Sequence, residues 1–309
     1  MTDIQELIPG VYVIPGGTNV GVIRVKTESG CGLYLIDSGG SEKDARKIET
    51  ILNAHFNGWH LRAVINTHSH ADHTGGNAYF AEKTKCDIWM PYLEKGSVEN
   101  TLLQPSLAWG GFPLPELRTS YYVPAHCEAT RIIRAEECVE LSDGKKIRFI
   151  ALPGHYFEML GVMCTIPDGK CAFFAGDAVF GKKVIAKFSI PFMLDIFSFL
   201  DTLEKLRSVR ADRYVPSHGD AVTRIDETVE MNEIAVLQTI SCIMKILKKK
   251  PHTAEELLTE VANANGISMK LAQYVLIGST LRSFLTCLYE KGRITYEIAD
   301  NKMLWKAVD

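Results

Sequence analysis

Residues 67–77 read THSHADHTGGN, so His68, His70, Asp72 and His73 crowd into six consecutive positions of a 309-residue chain that holds only nine histidines. Imidazole nitrogen and carboxylate oxygen are the ligands that zinc, iron and manganese accept. In an extended segment side chains alternate, so His68 and His70 point the same way and can grip one ion. Asp72 and His73 follow where the chain turns toward a helix starting near Gly75, which lets them face a neighbouring position. One segment could thus serve two metals. A single histidine is more often a packing or surface residue, but four ligand-type side chains at this spacing, directly after a buried strand, fit that bland reading poorly.

A two-metal centre needs further ligands at other strand ends. PGH at 153–155 follows the apolar run IRFIAL, AGD at 175–177 follows CAFF, and PSHG follows RYV. These place His155, Asp177 and His218 just past strands, with Gly154, Gly176 and Gly219 allowing close backbone approach. His55, His60, His126 and His252 lack such a context and read as surface or packing residues.

The elements that must position these side chains are legible as short apolar runs and amphipathic stretches. GVYVI at 10–14, VGVIRV at 20–25 and GLYLI at 32–36 read as strands of a sheet that begins antiparallel. Ser41, with Asp44 three residues on, caps a helix to about His55. RAVINTH is a buried strand entering the motif, and GGNAYFAEK leaves it as a helix. Further strands are expected at 147–152, 161–166, 171–175 and 213–216, with a helix at 198–209. Strands with interspersed helices imply a mixed α/β layer fold. A long helix over 226–249 ends in KILKKKP, where Pro251 stops it, and a domain boundary is expected there, dividing 1–249 from 250–309. In the second part Thr253 and Glu256 form a capping box, a second helix starts at Ser268, Gly278 separates a third, and RITYEI with MLWKAV makes a hairpin. Three helices and a wing describe a winged-helix-like module.

Together, THSHADH at 67–73, His155, Asp177 and His218, with LIDSG at 35–39 upstream, resemble the metallo-β-lactamase superfamily. The resemblance spans roughly residues 10–220 and implies an αββα sandwich with the site along one edge. Carried onto these positions it implies His68, His70 and His155 on one metal, Asp72, His73 and His218 on the other, and Asp177 bridging them. Asp37 would be a buried support for the metal-binding loop, and Asp72 would have a second, catalytic role in orienting the nucleophile or receiving a proton. The third motif departs from the family: many hydrolases of the superfamily read GHTPGH or GHSPGS, whereas this chain has GHYFEML at 154–160. The usual small hydroxyl residue is replaced by Tyr156, which could donate to a developing oxyanion, and Glu158 stands where a small or polar residue is usual.

Two divalent ions, most readily zinc, with iron or manganese compatible, would hold a bridging hydroxide at neutral pH and polarise the substrate's carbonyl or phosphoryl oxygen. Hydrolysis of a small ester, thioester or lactone is the expected reaction. A ribonuclease or phosphodiesterase is the alternative, and an iron-dependent oxidoreductase of the same fold a weaker one. Residues 91–131, with Tyr92, Trp109, Phe112, Tyr121 and Tyr122, read either as an aromatic lid or as a packed excursion or dimer contact, so homo-oligomerisation stays open. In GKKVIAKFSIPFMLDIF at 181–197, Lys182, Lys183 and Lys187 accompany Phe188, Phe192, Met193 and Phe197. This suits an anionic substrate with an apolar portion, with Lys182 and Lys187 as the candidate contacts, and equally suits solvated lysines over a core segment. A net charge of -3 and a pI near 6.3 give no bulk attraction to nucleic acid or an anionic membrane. Residues 250–309 balance Lys and Arg against Asp and Glu, which argues against a nucleic-acid partner there. Eight cysteines without CxxC spacing suggest reduced thiols. The N-terminal MTDIQELIPGVYVIPGG lacks a basic region followed by an apolar run, so a cytoplasmic protein that does not span a membrane is expected.

Overall fold

Residues 4–28 and 30–308 are described by a computed structural model, with the side chain of Phe188 outside the described set. Alternating apolar residues lay down a meander of β1 (Gln5–Ile8), β2 (Val11–Ile14), β3 (Val20–Thr27) and β4 (Gly30–Ile36), antiparallel throughout. Then α1 (Glu42–His55) crosses over, so β5 (Trp59–Ile65) pairs parallel with β4. Ser41 caps α1 as expected, its hydroxyl accepting from Asp44 N–H at 3.2 Å, and Ala45, Ile48 and Leu52 form its buried face. Burying one such leucine fully stabilises by about 2 kcal/mol. The chain continues through α2 (Ala71–Thr74), α3 (Asn77–Thr84) and β6 (Asp87–Pro91). A 3-10 turn at Tyr92–Glu94, α4 (Lys95–Glu99) and α5 (Leu103–Trp109) follow, and β7 (Arg131–Ile133) closes a sheet of sequential order β1 to β7.

The second sheet contains β8 (Cys138–Glu140), β9 (Lys146–Ala151), β10 (Leu160–Thr165) and β11 (Cys171–Phe180). After α6 (Lys182–Phe188) and α7 (Ile196–Ser208) it gains β12 (Arg213–His218), which pairs parallel with β11. One expectation is corrected here. The strand placed at 171–175 runs on to Phe180, so Asp177 lies inside β11 rather than just past a strand. The ladder to β12 loses register on both sides of Gly176, and such a bulge re-aims a side chain without ending the strand.

The inner faces of the two sheets share an apolar layer that includes Val11, Ile23, Ile36, Val162, Phe174 and Val215. Outside the first sheet, Ile48 and Leu52 of α1 and Phe80 of α3 pack on Leu33 and Leu35. Outside the second lie α7 and α8 (Asp226–Leu247), completing an αββα sandwich.

After Pro251 come α9 (Ala254–Ala264), α10 (Leu271–Glu290) and a hairpin of β13 (Ile294–Ala299) and β14 (Lys302–Ala307). Both halves of the Thr253–Glu256 capping box are present. The second helix starts at Leu271 rather than Ser268, and Gly278 does not divide it, so the described residues 250–308 hold two helices and a hairpin, not three helices. Gly278 faces α9, where a Cβ would stand at ordinary contact distance, 3.4 Å, from Leu258 Cδ2, and its backbone continues the helix. One cluster runs from Phe173, Phe199 and Leu203 through Val236 and Ile243 to Val261, Leu281 and Phe284. By length and composition α10 could cross a bilayer, yet here it is a packed helix. Thr280 Oγ1 accepts from Met193 N–H at 3.2 Å and Ser283 Oγ donates to Leu194 O at 2.7 Å.

Candidate metal centre

The ligand-type residues of both sheets converge at one end of the sandwich. His68 and His70 lie in the loop after β5, Asp72 and His73 on the single turn of α2, His155 after β9, Asp177 in β11 and His218 at the end of β12. The loop from β5 into α3 is pressed against the segment after β4: a Cβ on Gly75 would stand 2.2 Å from the carbonyl carbon of Gly40, so only glycine fits there. Likewise Gly154, at φ 121°, is pinned against the backbone of Phe199. Ligand atoms gather in three groups, His68/His70/His155, His68/His73/Asp177 and Asp72/His73/His218, each with its atoms within 4.8 Å of one another.

Four of the five imidazoles are aimed by a bond at the far nitrogen. His73 Nδ1–H donates to Asp37 Oδ2 at 2.8 Å, His155 Nδ1–H to Phe192 O at 2.8 Å, and His218 Nδ1–H to Gly17 O at 2.7 Å. The Thr67 hydroxyl donates to Asp37 Oδ2 at 3.0 Å, which leaves its oxygen to accept from His68 Nδ1 at 3.1 Å. Four Nε2 atoms are thereby turned inward, the tautomer following from the partner behind each ring. His70 presents Nδ1 instead, 2.8 Å from His155 Nε2. Asp37 also accepts from Thr67 N–H at 2.9 Å and sits at φ 61°, a left-handed backbone that an aspartate tolerates better than most residues.

The two sides of the centre are electrostatically unlike. Burial, reinforced by neighbouring imidazoles, holds His68 and His70 well below the ordinary histidine range and also lowers His155. Burial works against charge on His73 too, yet Asp72, Asp37 and Asp177 raise it to about 10; His218, against its own burial, is raised well above the ordinary range by Asp177 and Asp72. Burial would raise Asp177, but His218, His73 and His155 keep it well below the carboxylate range; Asp72 is lowered against burial by His73 and His218.

His68 Nε2, His73 Nε2 and Asp177 Oδ1 are buried with no hydrogen-bond partner among the described residues. Leaving a buried polar atom unpaired costs about 1–3 kcal/mol, and a cation between these atoms removes that cost. The donors, imidazole nitrogen and carboxylate oxygen, suit a borderline divalent ion. The residues therefore fit a metal.

Around the centre the other candidates are placed differently. Tyr156 is buried with its ring centroid 4.4 Å from that of His70. Burial and Glu94 push its hydroxyl up to about 12, with Ser97 and Ser69 opposing. Glu158 Oε2 accepts from Leu93 N–H at 2.7 Å. Lys182 and Lys187 are exposed on α6, Met193 is in the core, and Phe192 lies 5.4 Å from the His70 ring and 5.7 Å from His155. Of the aromatic segment, Tyr122 is buried with its hydroxyl donating to Ala272 O of α10 at 3.3 Å. Tyr121 is exposed, its ring edge-on to Tyr122 with centroids 4.8 Å apart. His55, His60 and His126 are exposed and His252 is buried against Lys250 O.

Two residues near the site carried no signal in the sequence. Thr18, in the turn between β2 and β3, donates to Asp72 Oδ2 at 2.9 Å. Glu94, in an ordinary-looking YLEK, is wholly buried behind the histidine loop. A GT dipeptide or a lone glutamate is too common to single out, and both contacts span long stretches of chain.

Comparison with known proteins matches residues 13–218 to the sequence profile of the metallo-beta-lactamase superfamily. A lactamase-like protein of Pestalotiopsis fici is 24% identical over 100% of this chain and 89% of its own. An atrochrysone carboxyl ACP thioesterase of Emericella nidulans is 25% identical over 100% of this chain and 87% of its own. Among solved structures, a beta-lactamase domain protein from Burkholderia ambifaria has a TM-score of 0.80 at 19% identity, covering 99% of this chain and 95% of that one.

Proposed function

Because the chain belongs to the metallo-beta-lactamase superfamily, whose folds hold divalent metals, we propose that it is a binuclear metal-dependent hydrolase of an ester or thioester. The observation that carries the reading is the convergence of inward-aimed imidazole nitrogens on the unpaired Asp177 oxygen. His68, His70 and His155 would hold one ion, Asp72, His73 and His218 the other, and Asp177 both. Two ions there would supply a hydroxide nucleophile at neutral pH and polarise the scissile carbonyl.

The remaining chemistry falls to the chain's own residues. Asp72, with its side chain 45% exposed and its Oδ2 3.1 Å from His218 Nε2, lies on the solvent side, where it can orient the attacking water and take its proton. Phe192 walls the three-histidine side against water, and exposed Lys182 and Lys187 on α6 offer charge to an anionic part of the substrate. The preference for an acyl substrate is supported by a thioesterase aligned along the whole chain, C-terminal part included. In this reading the two helices and hairpin of residues 250–308 pack against the sandwich, with α10 bracing the segment around Leu194 rather than reading nucleic acid.

The test is a substrate panel of acyl thioesters, aryl esters, lactones, a phosphodiester and RNA, run on protein loaded with zinc, manganese or iron and on metal-stripped protein. Thioester or ester turnover that disappears on chelation and returns with metal is expected. Turnover confined to RNA or the phosphodiester would replace the reading with the nuclease one.

A further inference from the structure

Glu94 is a fully buried carboxylate that none of these roles uses. Its Oε2 accepts from Ser69 N–H at 3.2 Å and from the Ser69 hydroxyl at 2.5 Å, and its Oε1 accepts from Glu158 N–H at 2.9 Å. Glu158 returns the contact, accepting from Leu93 N–H at 2.7 Å. Ser69 stands between His68 and His70, and Glu158 is three residues past His155. Every ligand of the three-histidine group therefore hangs from a segment tied to Glu94. Tyr156, buried in the same loop, sets its ring against His70 with centroids 4.4 Å apart.

Burying a carboxylate is costly unless its oxygens are satisfied. Only an acid side chain offers two acceptor oxygens, so one residue can serve backbone N–H groups of two different loops at once. We infer that Glu94 is a positioning residue: it clamps the His68–His70 segment to the loop after His155 and so preassembles the three-histidine half of the centre. The Asp72, His73 and His218 half is braced elsewhere, by Thr18, Asp37 and Gly17 O, and does not depend on it. The departure at the third motif then has a role, since Glu158 is one tie of the clamp and Tyr156 packs against the His70 ring that the clamp steadies. The inference rests on the metal-centre reading above.

The test is a zinc titration of the metal-stripped full chain against a chromophoric chelator, with the melting temperature of each metal-free variant recorded. Wild type should take up two ions. Glu94→Ala should bind one of them about 10–100-fold more weakly, the usual scale for loss of a residue that orients ligands, and the other unchanged. Glu94→Gln, which keeps one acceptor oxygen, should fall between. In a His70→Ala background Glu94→Gln should add little, while in an Asp72→Ala background it should show its full effect. Unchanged affinities, equal weakening of both ions, or a full effect in the His70→Ala background would overturn the inference; if Glu94→Ala does not fold, Glu94→Gln is judged by the same criteria. A wild-type chain that takes up no zinc would instead overturn the metal-centre reading, a separate result.

Discussion

The two halves of the centre are built from the same residue types but held differently. On one side His68 and His155 are buried, His70 is backed by Tyr156 and Phe192, and the supports are the interior Glu94 and Phe192 O. On the other, Asp72 and His218 keep side-chain exposures of 45% and 19%, and two of the supports, Gly17 O and Thr18, belong to the turn between β2 and β3. Only His73 there is anchored in the interior, on Asp37. The contrast teaches that one half is shaped by the core while the other takes part of its geometry from the turn between β2 and β3. The second half is accordingly the more solvent-exposed one.

Removing the residue common to both halves should have the largest effect. Asp177 Oδ2 lies 3.4 Å from both His155 Nε2 and His218 Nε2, and Oδ1 lies 3.4 Å from His73 Nε2. Asp177→Ala should therefore lose both ions, because two cations without a shared carboxylate repel, and hydrolysis should fall to background. Metal analysis by mass spectrometry checks this, and retention of both ions would break the picture of a shared bridge. Asp72→Ala should be asymmetric: about one ion lost per chain and turnover down about a hundredfold or more, the scale of losing a group that stabilises or orients the reacting atoms. Loss of both ions in that variant would mean that the halves are not separable.

Protons should separate the halves without mutation. At pH 7 His68, His70 and His155, all lowered, are neutral and can take an ion without releasing a proton. His73, at about 10, and His218, well raised, are protonated in the metal-free chain and must let go. Lowering the pH thus weakens the second ion, and raising it toward 10 strengthens it, while the first ion is insensitive above about pH 6.5. Calorimetry in buffers of different ionisation enthalpy should find up to about two protons released with the second ion and none with the first. Equal release at both steps would erase the contrast. The smallest effect belongs to Thr18→Ala, which removes one hydroxyl from Asp72. A hydrogen bond to a charged group contributes about 1.5 kcal/mol at the low end, so the second ion should bind about tenfold more weakly. An unchanged second affinity in the same titration would show that the turn does not brace the site.

What could be read from the chain alone was whatever depends on local order. His68, His70, Asp72 and His73 announced themselves by spacing, and His155, Asp177 and His218 by following apolar runs. The capped α1, the Thr253–Glu256 box and the final hairpin were equally legible, because caps and alternation are contacts between near neighbours in sequence. Misreadings arose where a residue's meaning depends on what packs against it. Gly278 looked like a helix break but meets Leu258, and Asp177 looked like a strand end but sits in a bulge set by β12. The supports were invisible for the same reason. Glu94 meets Glu158 across 64 positions and Thr18 meets Asp72 across 54. A hydrogen bond of that kind leaves no periodicity or spacing in the sequence, since its donor and acceptor come together only when the sheets pack. The residue types and their local spacing determined which metal chemistry is available. How each ligand is aimed, which half of the centre is rigid and which face stays open were decided by the fold.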